Sequence, residues 1–124
     1  MKFSKIAFIA SDSKVAQKAL KELSKIYKNI AVEKADIIVA LGGDGQLLNV
    51  IETYGKKNIP IYGMNRGTIG FLMNTYSKDH LLQRINNAVL TKISPLIMEA
   101  HDINNKSFKG IAINEVSLLR QSRM

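Results

Sequence analysis

The sequence contains no cysteine. That excludes disulfide staples, a thiolate nucleophile and cysteine-ligated zinc, and it is compatible with a reducing compartment. No apolar run approaches the ~20 residues that cross a bilayer. The opening Met1-Lys2-Phe3-Ser4-Lys5-Ile6 is soon interrupted by Ser11, Asp12 and Ser13, so it lacks the long apolar core of a signal peptide. A cytoplasmic protein with no membrane partner is expected. Aromatic residues make up only 6% of the chain, few for stacking on bases, and no RNA- or DNA-binding motif is present. Nucleic acid is therefore not expected as a partner. GxGxxG and GxxxxGK[ST] are both missing, which removes the standard dinucleotide fingerprint and the P-loop. His80 and His101 stand far apart, without zinc-ligand spacing, and read as surface residues; no metal ligands are assigned.

What is present fits one compact core. The 124 residues are 46% hydrophobic and 23% charged, with a net charge of +8 that favours anionic partners. Lys14, Lys18, Lys21, Lys25 and Lys28 recur at spacings of four and three, so on a helix they share one narrow arc. Val15, Ala16, Ala19, Leu20, Leu23, Ile26 and Tyr27 take the opposite arc. A phosphate-binding stripe is one reading; the solvated face of an amphipathic helix is the more ordinary one.

Strands are expected at Lys5 to Ala10, Asp36 to Leu41 and Ile59 to Tyr62, with a short edge strand at Ile30-Ala31-Val32. Helices are expected after Ser11, Asp12 or Ser13, over Gln46 to Tyr54, and after Ser77 with Leu81, Leu82, Ile85, Ala88 and Val89 inward. This alternation predicts an α/β fold, an open three-layer and mostly parallel sheet flanked by helices with right-handed crossovers. After residue 92 the rhythm changes. Leu96, Met98 and Ala100 alternate, Asp102 to Lys106 form a turn cluster, and Phe108 to Leu119 alternate again, a β-hairpin signature. The division is therefore 1–92, an α/β domain, and 93–124, a hairpin. A lone hairpin is marginal in water, so a homo-oligomer is expected.

The most informative feature is Gly42-Gly43-Asp44-Gly45, directly after the apolar run Ile37 to Leu41. Glycines at a strand-to-helix turn let the backbone approach a ligand, and amides at a helix N-terminus face anions. A carboxylate in that turn repels phosphate unless it accepts a proton or works with a cation, which points to phosphoryl transfer. In open α/β sheets ligands lie beyond the carboxyl ends of the strands. There the sequence gathers Ser11 to Ser13, Gly42 to Gly45 and Asn65 to Gly70.

Gly42 to Gly45 resembles the GGDG signature of the NAD kinase family, whose phosphate turn is shared with diacylglycerol, sphingosine and phosphofructokinases. Gly63-Met64-Asn65-Arg66-Gly67-Thr68-Ile69-Gly70-Phe71-Leu72 resembles the loop after that family's next strand. Ile113-Asn114-Glu115-Val116 is similar to its Asn-Glu motif. The resemblance implies transfer of the terminal phosphate of ATP, or of polyphosphate, to the 2′-hydroxyl of the adenosine ribose of NAD. It makes Asp44 the base that accepts the hydroxyl proton. Gly42, Gly43 and Gly45 would present amides to phosphate, and Asn114 and Glu115 would hold the adenosine. Phe71 would stack on adenine, unless it belongs to the core. Mg²⁺ or another divalent cation would enter with ATP. Gln46 stands where many relatives carry Thr. Family members continue through a β-rich second domain, so the hairpin resembles its start and the chain is expected to be truncated. The alternatives are a lipid kinase of the diacylglycerol type and a non-catalytic nucleotide-binding fragment.

Overall fold

A computed structural model describes residues 2–66, 72–93 and 116–121. The chain opens with strand β1 (Ile6–Ala10) and helix α1 (Lys14–Tyr27), followed by strand β2 (Ile37–Gly42) and helix α2 (Asp44–Tyr54). Strand β3 (Ile61–Asn65), helix α3 (Leu81–Asn86), and strands β4 (Val89–Ile93) and β5 (Val116–Arg120) follow among the described residues. The five strands form one sheet in the order β1-β2-β3-β5-β4. The first four in that order pair in parallel, and β4 runs antiparallel to β5.

The sequence of β2 explains its central place. All six residues of Ile37–Gly42 are buried, as an uninterrupted apolar run must be when both faces of a parallel strand are covered. Alternate residues feed two cores. Ile37, Val39 and Leu41 join Ile6, Phe8, Tyr62 and Met64 beneath Ala16, Ala19 and Leu23 of α1 and Leu81 and Ile85 of α3. Ile38 and Ala40 join Ala7, Ile61, Val116 and Leu118 beneath Leu47, Val50 and Ile51 of α2. Helices thus cover both faces, giving three layers.

This placement corrects one expectation. Strands β1, β2 and β3 follow one another across the sheet in chain order, yet α1 and α2 lie on opposite faces. Two parallel crossovers stepping the same way with helices on opposite faces have opposite hands. One of them therefore departs from the right-handed rule.

Helix α1 is capped by Ser13, whose hydroxyl accepts the Ala16 amide at 3.1 Å. All five lysines of the stripe are exposed. Val15 and Ile26 are also exposed, at 49% and 55%. They lie roughly 60–80° around the helix from buried Leu23, at the flank of the apolar arc. Ile30 to Val32 is not an edge strand. The Asn29 carboxamide accepts the Phe8 amide at 2.9 Å, and Ile30 N–H donates to the Ile6 carbonyl at 2.9 Å. A side chain thereby occupies the rim of β1, and Val32–Lys34 turns away as a 3₁₀ segment.

The helix expected after Ser77 is shorter than its periodicity suggests. Tyr27 O–H accepts the Leu81 amide at 3.1 Å and donates to the Lys78 carbonyl at 2.6 Å, fixing where α3 starts. Asn86 ends it by exchanging bonds with the Phe3 backbone at 2.8 and 3.1 Å. Val89 then begins β4, because Val89–Ile93 finds a partner in β5, from Val89 opposite Arg120 to Ile93 opposite Val116. That pairing also joins residues on both sides of the expected 92/93 division in one sheet. Leu96, Met98, Ala100 and the turn cluster at 102–106 lie outside the described residues.

Candidate active site

The carboxyl ends of β1, β2 and β3 are laced together. Ser11 N–H donates to the Leu41 carbonyl at 3.0 Å, and Arg66 N–H donates to the Gly42 carbonyl at 2.7 Å. Gly42 itself has φ +152°, and a Cβ there would stand 2.7 Å from Gln46 Cβ, 3.0 Å from Gln46 Cγ and 3.3 Å from Ser11 Oγ. A side chain is excluded by conformation and by space together. This lets α2 begin almost directly above the end of β2.

Gly43 is the N-cap of α2 and supplies no side-chain bond. The first helical bond runs from Leu47 N–H to the Gly43 carbonyl at 3.1 Å, so the amides that precede it lack intrahelical acceptors. Asp44 is the first helical residue, half-buried, where the helix terminus favours negative charge. Its Oδ1 accepts the Leu72 amide at 3.4 Å. Gly45 differs from Gly42: no atom lies within 4 Å of where its Cβ would be. The fold does not need glycine at 45, and its absence of side chain keeps space open beside Asp44.

That space is a cavity of about 660 Å³, within the range of small-molecule sites. Gly43, Asp44, Gly45 and Gln46 line it from the turn; Leu48, Asn49 and Glu52 line it from α2. Ser11 and Ser13 face it from the exit of β1, and Arg66 from the exit of β3. Gly42 shapes the turn from below and does not line the cavity. Phe71, Asn114 and Glu115 lie outside the described residues. His80 is exposed at the start of α3, far from any cluster; among the described residues no group of three or more His, Cys, Asp or Glu could hold a metal ion.

Three features escaped the sequence reading. Asn49 and Glu52 line the cavity because the helix face carrying Leu48 turns towards it, which the apolar pattern does not reveal. The second is the stacking of Arg66, which the sequence alone left open as a phosphate contact or a surface ion pair: it lies over the Tyr76 ring at 4.1 Å, with its buried Nε lacking a hydrogen-bond partner among the described residues. Burial pushes the Tyr76 phenol above its usual range, the Glu22 carboxylate reinforces this, and Arg66 opposes it.

The third is Asn74, the buried polar residue of the described core at 6% exposure. Its amide donates to the Gly63 carbonyl at 2.7 Å, and its carbonyl accepts the Asn65 amide at 2.9 Å. The side chain donates to the carbonyls of Gly63 at 2.8 Å and Leu119 at 3.2 Å, and accepts the Gln121 amide at 2.8 Å. One carboxamide thus ties the segment after the Asn65-Arg66 corner to both β3 and β5.

Residues 1–92 match the family model described as the ATP-NAD kinase N-terminal domain. This chain belongs to the NAD kinase family. Proteins named NAD kinase from Rhizobium meliloti (strain 1021) and Caulobacter vibrioides are each 49% identical to it, over 98% and 97% of its length. One from Xylella fastidiosa is 46% identical over 95%. Those alignments cover 47%, 46% and 45% of the relatives, so the chain spans about half the length of the curated relatives it matches. The region shared with the family model carries β1 to β3, all three helices, the glycine turn and Arg66; β5 completes the sheet from beyond it.

Proposed function

We propose that this domain binds nucleotides for transfer of the terminal phosphate of ATP to the 2′-hydroxyl of the adenosine ribose of NAD, giving NADP and ADP. The observation that carries the reading is the position of Asp44. It is a carboxylate in the first turn of α2, at the wall of a cavity that Gly43, Gly45 and Gln46 of the same turn also line. Phosphoryl transfer asks for alignment and charge stabilisation more than covalent help. In this reading Asp44 accepts the 2′-hydroxyl proton as the ribose oxygen bonds to the γ-phosphorus. The bridge to the β-phosphate breaks, and ADP departs with that bridging oxygen. The amides of Gly43 and Gly45 take the phosphate oxygens.

A divalent cation carried by the donor fits this lining. Mg²⁺ commonly keeps several waters and takes one or two carboxylates beside substrate phosphates. Asp44 and Glu52 are the acidic residues of the cavity, and the ion's part is to neutralise charge on the donor. Phe71, Asn114 and Glu115 remain the proposed contacts of the adenosine. A homo-oligomer is consistent with edge strand β4, where Val89 and Leu90 are 52% and 47% exposed.

The relatives' shared name supports a dinucleotide acceptor over a lipid. Incubation with ATP, Mg²⁺ and either NAD or dioleoylglycerol tests the choice. NADP formation without phosphatidate is expected, and the converse would establish the lipid reading.

A further inference from the structure

We infer that Arg66, held over the Tyr76 ring, binds phosphoanhydride oxygens of a nucleotide in the cavity, and that Tyr76 is its positioning residue. The inference rests on the phosphoryl-transfer reading only for the nature of the ligand.

An arginine at a surface ordinarily satisfies its donors with water or a carboxylate. Here Nε is buried and makes no hydrogen bond among the described residues. The guanidinium contacts the face of the Tyr76 ring, 4.1 Å from its centroid. Stacking on a ring fixes the plane of the guanidinium while leaving its edge donors free. The ring is itself anchored, since Tyr76 O–H donates to Glu22 Oε1 at 3.4 Å across to α1. The backbone is fixed too, through the 2.7 Å bond from Arg66 N–H to the carbonyl of Gly42.

Arg66 lines the cavity together with the glycine turn, Ser11 and Ser13. The cavity therefore receives the N-terminal ends of α1 and α2, each partially positive, and one guanidinium to set against the carboxylates of Asp44 and Glu52 in the same lining. A planar fork with parallel donors matches the paired oxygens of a phosphate better than a point charge does. Holding it preformed lowers the side-chain entropy lost on binding.

Calorimetric titration of the 124-residue protein with tripolyphosphate, ATP and NAD tests this. Arg66→Gln should weaken binding of the phosphate-bearing ligand by about tenfold to a hundredfold, the range of charge-assisted bonds. Arg66→Lys should recover little of it, because lysine has neither the fork nor the stacking plane. Tyr76→Leu should weaken binding about threefold to fivefold, and Tyr76→Phe, which keeps the ring, should restore it. A loss for tripolyphosphate and ATP places Arg66 on the donor; a loss for NAD alone places it on the acceptor's diphosphate. Either supports the inference, provided the thermal midpoint of Arg66→Gln stays near that of the parent. Unchanged affinity for all three ligands in Arg66→Gln would overturn it, as would failure of the parent to bind any of them. Equal losses in Tyr76→Phe and Tyr76→Leu would overturn the positioning role. The readout is binding, so a protein that holds polyphosphate through Arg66 yet forms no NADP would contradict only the functional reading.

Discussion

Replacing Gly42 by alanine, set beside the same change at Gly45, separates what the glycine turn does for the fold from what it does for the site. At Gly42 the new methyl would meet Gln46 Cβ at 2.7 Å, and the backbone would keep a φ of +152° that side chains rarely adopt. Overpacking of this kind costs about 1–3 kcal/mol, and a residue forced into a sparsely populated conformation about as much again. Neither atom can move away cheaply, because Gln46 Cβ is fixed to the first turn of α2 and Gly42 is hydrogen-bonded to Arg66. The expected loss is therefore about 2–6 kcal/mol, seen as a lower urea midpoint and a thermal midpoint down by roughly 10–25 °C. At Gly45 no atom lies within 4 Å of the added methyl. Alanine should leave stability unchanged or raise it by up to about 1 kcal/mol. The methyl would instead stand in the cavity beside Asp44, so Gly45→Ala should weaken ATP binding. Paired urea melts and ATP titrations check both halves. Equal stability losses at the two positions, or a Gly42→Ala protein as stable as the parent, would refute the reasoning.

Tyr62 is fully buried, and its hydroxyl has no hydrogen-bond partner among the described residues, so Tyr62→Phe should gain about 1 kcal/mol in urea melts. Burial raises the pKa of Tyr62 against an opposing Arg84, and raises that of Tyr76 as well. Above pH 10 the unfolded chain then loses these protons first, so stability is full below that value and falls as pH climbs beyond it. Melts between pH 8 and 11 should show the decline, and Tyr62→Phe should make it shallower. Asn74→Ala strands the Leu119 carbonyl and the Gln121 amide and should cost about 2–4 kcal/mol. Amide exchange at Gln121 should quicken in the same variant. Ser13→Ala removes the cap of α1 and should cost about 1 kcal/mol in thermal melts.

The parts legible in the sequence are those set by neighbouring residues. The Ile37–Leu41 run announced a doubly covered strand, the glycines after it a helix N-terminus, and the lysine period an exposed helix face. What escaped depends on distant partners. Val89 continues the helical period of Leu81 and Ile85, but its pairing with Arg120 draws it into a strand. Val116–Arg120 alternates like any hairpin arm; only the register of Leu118 opposite Ile61 shows that it enters the parallel sheet. Apolar periodicity says which face of a helix is buried and nothing of which side of the sheet the helix takes, so the opposite hands of the first two crossovers were hidden. Asn74 was invisible for a related reason. A single asparagine reads as a turn residue until the carbonyls of Gly63 and Leu119 surround it.

The proposed role of Asp44 as proton acceptor in phosphoryl transfer calls for a chimera in which this chain replaces the aligned 121 residues of the Rhizobium meliloti NAD kinase. NADP formation would be followed with Asp44 and with Asp44→Asn. General-base catalysis contributes about 10²–10⁴-fold. The asparagine variant should therefore lose at least two orders of magnitude in kcat, with its circular dichroism and thermal midpoint unchanged. An asparagine variant retaining activity within tenfold of the aspartate enzyme would contradict the account.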